Sequence, residues 1–199
     1  DLALAEARWS PDDKRLSARV ADSTGLNDYF YHSDVVLIDA ATGAVRTLMR
    51  EASGPGEWSP DGKRLAFAQL REQYVGLRVW IVDVDGDRRL KVGEDHLGHL
   101  TRLEWAADGR SLLAQSFEAT RSRLVRIDAK DGKISPLLAF EGRLTGFSAE
   151  NGRVALAADT PTRPDDIWLW TPGQKTAQPL TDLNPQVRQW ALGLSLIHI

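Results

Sequence analysis

The sequence contains no cysteine. That excludes disulfides, thiolate nucleophiles and cysteine metal ligands, and it leaves the compartment open because such a chain tolerates both redox regimes. No apolar run reaches membrane-spanning length, and no signal-peptide pattern opens the chain. Asp1 is not an initiator methionine, and the chain is read as starting inside a repeat. Charge excess is also missing. A formal net charge of -3 over 199 residues makes no electrostatic case for nucleic acid or an anionic membrane as a partner. An amphipathic helical period of useful length is absent. So is a G-x-S-x-G turn, the strained elbow that exposes a hydrolase serine.

What the chain does contain is repetition. Trp58-Ser59-Pro60-Asp61-Gly62-Lys63-Arg64-Leu65-Ala66-Phe67 reads as a strand end, a tight turn and a second strand. Pro60 presets φ for a type I turn and Gly62 supplies the left-handed position. Trp9-Ser10-Pro11-Asp12-Asp13-Lys14-Arg15-Leu16 and Trp105-Ala106-Ala107-Asp108-Gly109-Arg110-Ser111-Leu112 are further copies. Phe147-Ser148-Ala149-Glu150-Asn151-Gly152-Arg153-Val154 reads as a worn fourth, with Phe147 in the place of Trp. The copies start at intervals of 49, 47 and 42 residues. A period of roughly 40–50 residues is that of propeller blades. Asp13 and Asn151 stand where glycine stands elsewhere, and both residue types tolerate φ > 0.

Each copy continues alike. An apolar strand runs Val35 to Asp39, Trp80 to Asp83, Leu124 to Asp128 and Ile167 to Thr171. A glycine turn follows at Gly43, Gly86, Gly132 and Gly173, then a short outer strand. The unit is a four-stranded antiparallel meander. The expected fold is all-β, a β-propeller segment of about four four-stranded blades spanning residues 1–186. The recurrent Trp9, Trp58 and Trp105 are expected in the core between blades, where truncation to Ala costs on the order of 3–5 kcal/mol.

The chemistry-bearing residues are few. Tyr29 and Tyr31 lie in a long insert between the second and third strands of the first blade. Arg71 and Tyr74 lie in the equivalent loop of the second. Surface or inter-blade packing accounts for all four; if such loops face a substrate chamber, Arg would bind a carboxylate and Tyr would donate a hydrogen bond. His96 and His99, with Glu94 and Asp95, make a metal site conceivable, but no further ligand cluster accompanies them. His32 is a lone histidine. Asp83-Val84-Asp85-Gly86-Asp87 has its glycine too early for an EF-hand loop and reads as a β-turn. Gly193-Leu194-Ser195-Leu196-Ile197 begins like a nucleophile elbow but ends in Ile where Gly is required. No catalytic, metal or cofactor-binding residue is assigned, and no cofactor is expected.

The W-S-P-D-G-K-R-L-A-F stretch resembles the repeat of TolB-like and peptidase propellers. The segment Ala158-Asp159-Thr160-Pro161-Thr162-Arg163-Pro164-Asp165-Asp166-Ile167, with Pro179-Leu180-Thr181-Asp182-Leu183-Asn184, is similar to the last blade of prolyl oligopeptidase-family (S9) serine peptidases. Thr160 stands where that pattern often has Ser. The resemblance covers about residues 1–193 and implies a non-catalytic propeller that gates and positions peptides for an α/β-hydrolase domain carrying the catalytic Ser, Asp and His. Residues 187–193 would begin the linker to that domain. Members of the family carry about seven or eight blades, so the isolated segment is expected to be marginal or aggregation-prone, with two unpaired faces. The implied partners are the chain's own hydrolase domain and peptide substrate. Leu194-Ser195-Leu196-Ile197-His198-Ile199 resembles an in-frame translation of a sequencing-library adaptor, and the native sequence is expected to stop at Gly193. The alternative is a TolB-like interaction propeller without enzymatic activity.

Overall fold

The computed structural model describes residues 3–25, 28, 32–70, 77–118 and 121–190. Four separate sheets appear, each with strands in sequence order. Blade 1 holds β1 (Ala3–Trp9), β2 (Arg15–Ala21), β3 (Ser33–Asp39) and β4 (Val45–Met49). Blade 2 holds β5 (Ser53–Trp58), β6 (Arg64–Leu70), β7 (Leu77–Asp83) and β8 (Arg89–Val92). Blade 3 holds β9 (His99–Trp105), β10 (Ser111–Glu118), β11 (Arg121–Asp128) and β12 (Ile134–Phe140). Blade 4 holds β13 (Arg143–Glu150), β14 (Arg153–Thr160), β15 (Arg163–Trp170) and β16 (Gln178–Pro179). A short 3-10 helix, Pro185–Gln189, follows. All neighbouring strands pair antiparallel, as the repeats predict.

The first hairpin of each blade is built by its turn. Ser59 Oγ donates to Asp61 Oδ1 at 2.6 Å and accepts the Arg64 amide at 2.9 Å. The Asp61 carboxylate in turn accepts the Lys63 amide at 3.1 Å. Ser10, Asp12 and Arg15 repeat the arrangement in blade 1. Gly62 and Gly109 take φ of 67° and 65°, and Asp13 takes 57° at the same place. These side chains satisfy backbone donors that neither strand reaches.

The fourth hairpin differs from its expected form. In the first three blades the tryptophan pairs with the apolar residue seven positions on: Trp9 with Leu16, Trp58 with Leu65, Trp105 with Leu112. In blade 4 it is Ala149 that pairs with Val154, while Phe147 pairs with Leu156. Phe147 therefore does not occupy the tryptophan place; Ala149 does. The reason is the turn. Asn151 and Gly152 both have positive φ, 49° and 72°, the requirement of a two-residue type I′ turn, whose twist matches that of the strands. The strands zip up to Glu150 and Arg153 instead of stopping at a six-residue loop.

The core lies between blades. Val35, Leu37 and Leu48 of blade 1 meet Leu65, Phe67 and Val82 of blade 2. Val79, Ile81 and Val92 meet Leu112, Ala114 and Ile127 across the next junction. Leu124, Leu138 and Phe140 meet Leu144, Leu156 and Trp170 across the third. Alternate residues of each middle strand serve opposite junctions, the period-2 rule of a sheet buried on both faces.

Candidate functional surfaces

Blade-to-blade contact rests on one recurring polar device. The Trp58 indole donates to the backbone oxygen of Arg8, the residue before Trp9, at 3.3 Å. The Trp105 indole donates to the oxygen of Glu57, the residue before Trp58, at 2.9 Å. Over each ring sits the arginine that closes the previous blade's turn. Arg15 lies 5.8 Å from the Trp58 ring and Arg64 lies 4.8 Å from the Trp105 ring. Arg64 also donates to the oxygen of Gly109 at 2.7 Å. Each contact links an aromatic π face, a cation and an amide oxygen across roughly one repeat. Trp58 and Trp105 are partly buried in these junctions, as expected. Trp9 is 56% exposed, contrary to its expected core place, because no described residue packs on that side of blade 1.

The first strands of adjacent blades touch one another and bring a row of charges together. Arg8 pairs with Glu57 at 3.1 Å, and Glu104 accepts the Ala149 amide at 2.9 Å. Burial pushes the Glu57 carboxyl up, and Glu104 adds to the effect, while Arg8 opposes it. Arg102, at φ 45°, lies against Gly146, where an added Cβ would come within 3.2 Å of its guanidinium. The glycine is what admits that close approach.

The polar residues singled out in the sequence are distributed rather than gathered. Tyr29, Tyr31, Arg71 and Tyr74 lie outside the described residues, as do Gly193, Ser195 and His198. The strands flanking the first four are β2 with β3 and β6 with β7, neighbouring places in consecutive blades. His96 Nε2 lies 2.8 Å from Ser116 Oγ and 3.9 Å from the Glu118 carboxylate. Glu94 pairs with Lys91, and His99 is exposed on β9. Among the described residues no three His, Asp or Glu side chains come together as a metal site requires. Asp85, inside the acidic turn, takes both its oxygens to Arg15 Nη1 at 2.7 and 2.8 Å. It is part of the junction between blades 1 and 2. His32 is exposed beside a depression of about 340 Å³ lined by Asp22, Asp34, Arg50 and Glu51.

A denser cluster was not expected from local pattern. It joins β15 to the segment that follows β16. Asp166 is only 3% exposed. Its carboxylate accepts the Thr181 hydroxyl and Arg163 Nε at 3.0 Å. Thr181 Oγ1 accepts the Ile167 amide at 3.0 Å, and its backbone oxygen accepts from Arg163. Asp182 lies 3.8 Å from Arg163 and 2.8 Å from Arg188 of the 3-10 helix. Burial alone would raise the Asp166 carboxyl, but the hydrogen bonds from Thr181 and Arg163 outweigh it and hold it below the ordinary aspartate range. The five residues clasp the segment after β16 to blade 4.

No family model matches the chain. Its sequence is 23% identical over 191 residues to dipeptidyl-peptidase 5 of Porphyromonas gingivalis, covering 92% of this chain and 28% of that protein. The chain thus spans little more than a quarter of the curated relative. Among solved structures, an acylaminoacyl peptidase matches with a TM-score of 0.70 at 20% identity, over 92% of this chain and 28% of that one. TolB from Acinetobacter baumannii matches with a TM-score of 0.67 at 18% identity, over 90% and 44%. The four stacked meanders are thus a β-propeller, and the structures it resembles are the propeller domains of S9 serine peptidases and of TolB-like proteins.

Proposed function

We propose that this chain forms part of the propeller of a prolyl oligopeptidase-family serine peptidase, where it gates and positions peptides for an α/β-hydrolase domain following Gly193. The observation that carries the reading is the Asp166–Thr181 clasp. It joins, through one buried carboxylate, the two sequence segments that resemble the end of a peptidase propeller. Such a clasp fixes the direction in which the chain leaves the last blade, which is what a domain connection over a propeller face needs. The likeness to a dipeptidyl-peptidase along 92% of the chain agrees with it. In this reading the hydrolase domain supplies nucleophile, acid and base, and the propeller supplies access and orientation. Tyr29, Tyr31, Arg71 and Tyr74 remain the candidate substrate-facing residues. Sequencing the gene past Gly193 tests the reading. A continuation with G-x-S-x-G followed by Asp and His, and cleavage of fluorogenic dipeptide substrates by the full product, is the expected result. A stop codon or further propeller repeats would overturn it. The likeness to TolB over 90% of the chain favours, as a second reading, an interaction propeller with no hydrolase attached.

A further inference from the structure

Asparagine or aspartate followed by glycine carries an inherent reactivity. The glycine backbone nitrogen can attack the side-chain carbonyl carbon, because no Cβ shields it. The chain has five such dyads: Asp61-Gly62, Asp85-Gly86, Asp108-Gly109, Asp131-Gly132 and Asn151-Gly152. The structure separates one from the other four. We propose that the Asn151-Gly152 turn is a spontaneous modification site, where the folded protein loses ammonia and gains a carboxylate at the tip of the first hairpin of blade 4.

The aspartate dyads are tied down. Asp61 Oδ1 accepts the Ser59 hydroxyl at 2.6 Å and the Lys63 amide at 3.1 Å. Asp108 and Asp131 accept the amides of Arg110 and Lys133 at 2.8 and 2.9 Å. Asp85 is held by Arg15. Glycine nitrogens are engaged as well. Those of Gly62 and Gly109 donate to Ser59 O and Ala106 O, both at 2.8 Å, and that of Gly132 donates to Asp128 O at 2.9 Å. A bonded nitrogen beside a fixed carboxylate must break both contacts before a ring can close.

Asn151-Gly152 has neither tether. The Asn151 side-chain amide and the Gly152 backbone amide make no hydrogen bond to a described residue. Residues 150–153 are all exposed, and nothing described lies within 4 Å of a Cβ built on Gly152. The cause is the turn type. In a two-residue turn the second central amide has no place in the ladder. In the longer turns after Trp58 and Trp105 the glycine amide bonds back to the residue three before it.

The step needs no co-reactant but water. Gly152 N gives up its proton and bonds to Asn151 Cγ, the Cγ–Nδ2 bond breaks, and the side-chain nitrogen leaves as ammonia with that proton. Water then opens the cyclic imide. Opening at one carbonyl leaves an ordinary aspartyl residue; opening at the other leaves an isoaspartyl residue, whose main chain is longer by a methylene. The two products affect the fold differently. Aspartate tolerates the left-handed place, as Asp13 does at φ 57° in blade 1. The longer isoaspartyl chain does not fit a two-residue turn, so Glu150 and Arg153 lose their pairing. Next to that pair, the Ala149 amide donates to Glu104 of blade 3 at 2.9 Å. The modification thus loosens the junction of blades 3 and 4 at this end. The inference is independent of whether a hydrolase domain follows.

The test uses the 199-residue chain with two variants, Asp61→Asn and Asp108→Asn, which place the same Asn-Gly pair in tethered turns. Each protein is held at mildly alkaline pH, its fold checked by circular dichroism, and sampled over time by tryptic peptide mass spectrometry. The mass gain of an NH2-to-OH exchange reports the reaction, and enzymatic methylation scores isoaspartate. Asn151 should react about tenfold or more faster than the introduced asparagines, and urea should close the gap. Asn184 should stay intact, because Pro185 has no N–H to lose. Hydrogen exchange at the Glu150 and Arg153 amides should rise in the isoaspartyl protein and stay unchanged in Asn151→Asp. Equal rates at Asn151 and the introduced asparagines in folded protein would overturn the proposal. So would an absence of product at Asn151, or a gap that persists in urea.

Discussion

Trp9 and Trp105 occupy the same place in their repeats, yet their truncation should have unequal effects. The Trp105 indole donates one hydrogen bond, to Glu57 O at 2.9 Å, worth about 1 kcal/mol net. Arg64 stands 4.8 Å above its ring, adding about 0.5–1 kcal/mol at a partly exposed site. Trp105→Phe removes the first and weakens the second, so it should cost about 1–2 kcal/mol. Trp105→Ala also removes the packing against the core between blades 2 and 3. Full burial would make that about 3–5 kcal/mol; a partly buried ring belongs at the lower end, about 3 kcal/mol. Trp9→Ala, at a ring 56% exposed, should cost under about 1 kcal/mol in the monomer. Urea unfolding followed by circular dichroism, at concentrations where the chain is monomeric, gives the three values from midpoints at constant slope. Equal losses for Trp9→Ala and Trp105→Ala would refute the reasoning, because they would mean that the ring's own hairpin, not the preceding blade, holds it.

Other consequences concern the turns and the clasp. Ser59→Ala strands the Arg64 amide and frees Asp61, so it should destabilise by about 1 kcal/mol; Ala106→Ser, which installs the same hydroxyl in blade 3, should stabilise by a similar amount, both read as shifts in urea midpoint. Hydrogen bonds from Ser10 and Ser59 hold the Asp12 and Asp61 carboxyls below the ordinary aspartate range. A carboxyl lowered by folding stabilises fully above its unfolded pKa and loses that contribution as pH falls through its folded one. Thermal midpoints should therefore drop on acidification through the aspartate range, and the Ser10→Ala, Ser59→Ala double variant should show a shallower drop. Thr181→Val should speed hydrogen exchange at the Ile167 and Leu180 amides, which bond across the clasp at 3.0 and 2.8 Å, and leave blades 1 and 2 unchanged. Thr181→Ser should restore the protection; matching rates in all three proteins would show that the hydroxyl bonds hold nothing in place.

The strands, their order and their turns were legible in the sequence because their causes are local. Pro60 and Gly62 set the turn, the serine and aspartate side chains reach only a few residues along the chain, and strand period needs no partner to be read. Arg15, Arg64 and Arg153 recur in the repeat, but no local rule says what they cover. Tertiary structure decided that: Arg15 and Arg64 each stack on an aromatic ring nearly a full repeat away, on Trp58 and Trp105, and Arg153 does not. It also decided the fourth register, where Asn151-Gly152 closes a two-residue turn and puts Ala149, not Phe147, in the tryptophan's place. The segments holding Arg163, Asp166, Thr181 and Asp182 stood out in the sequence by resemblance, but nothing local showed that these side chains and Arg188 form a clasp, since its geometry exists only once β15 and the segment after β16 lie side by side. The same holds for the tryptophans. Trp9 and Trp105 look alike along the chain, and burial is a property of what stands opposite, so only the stacked blades show that one ring is packed and the other is open to water.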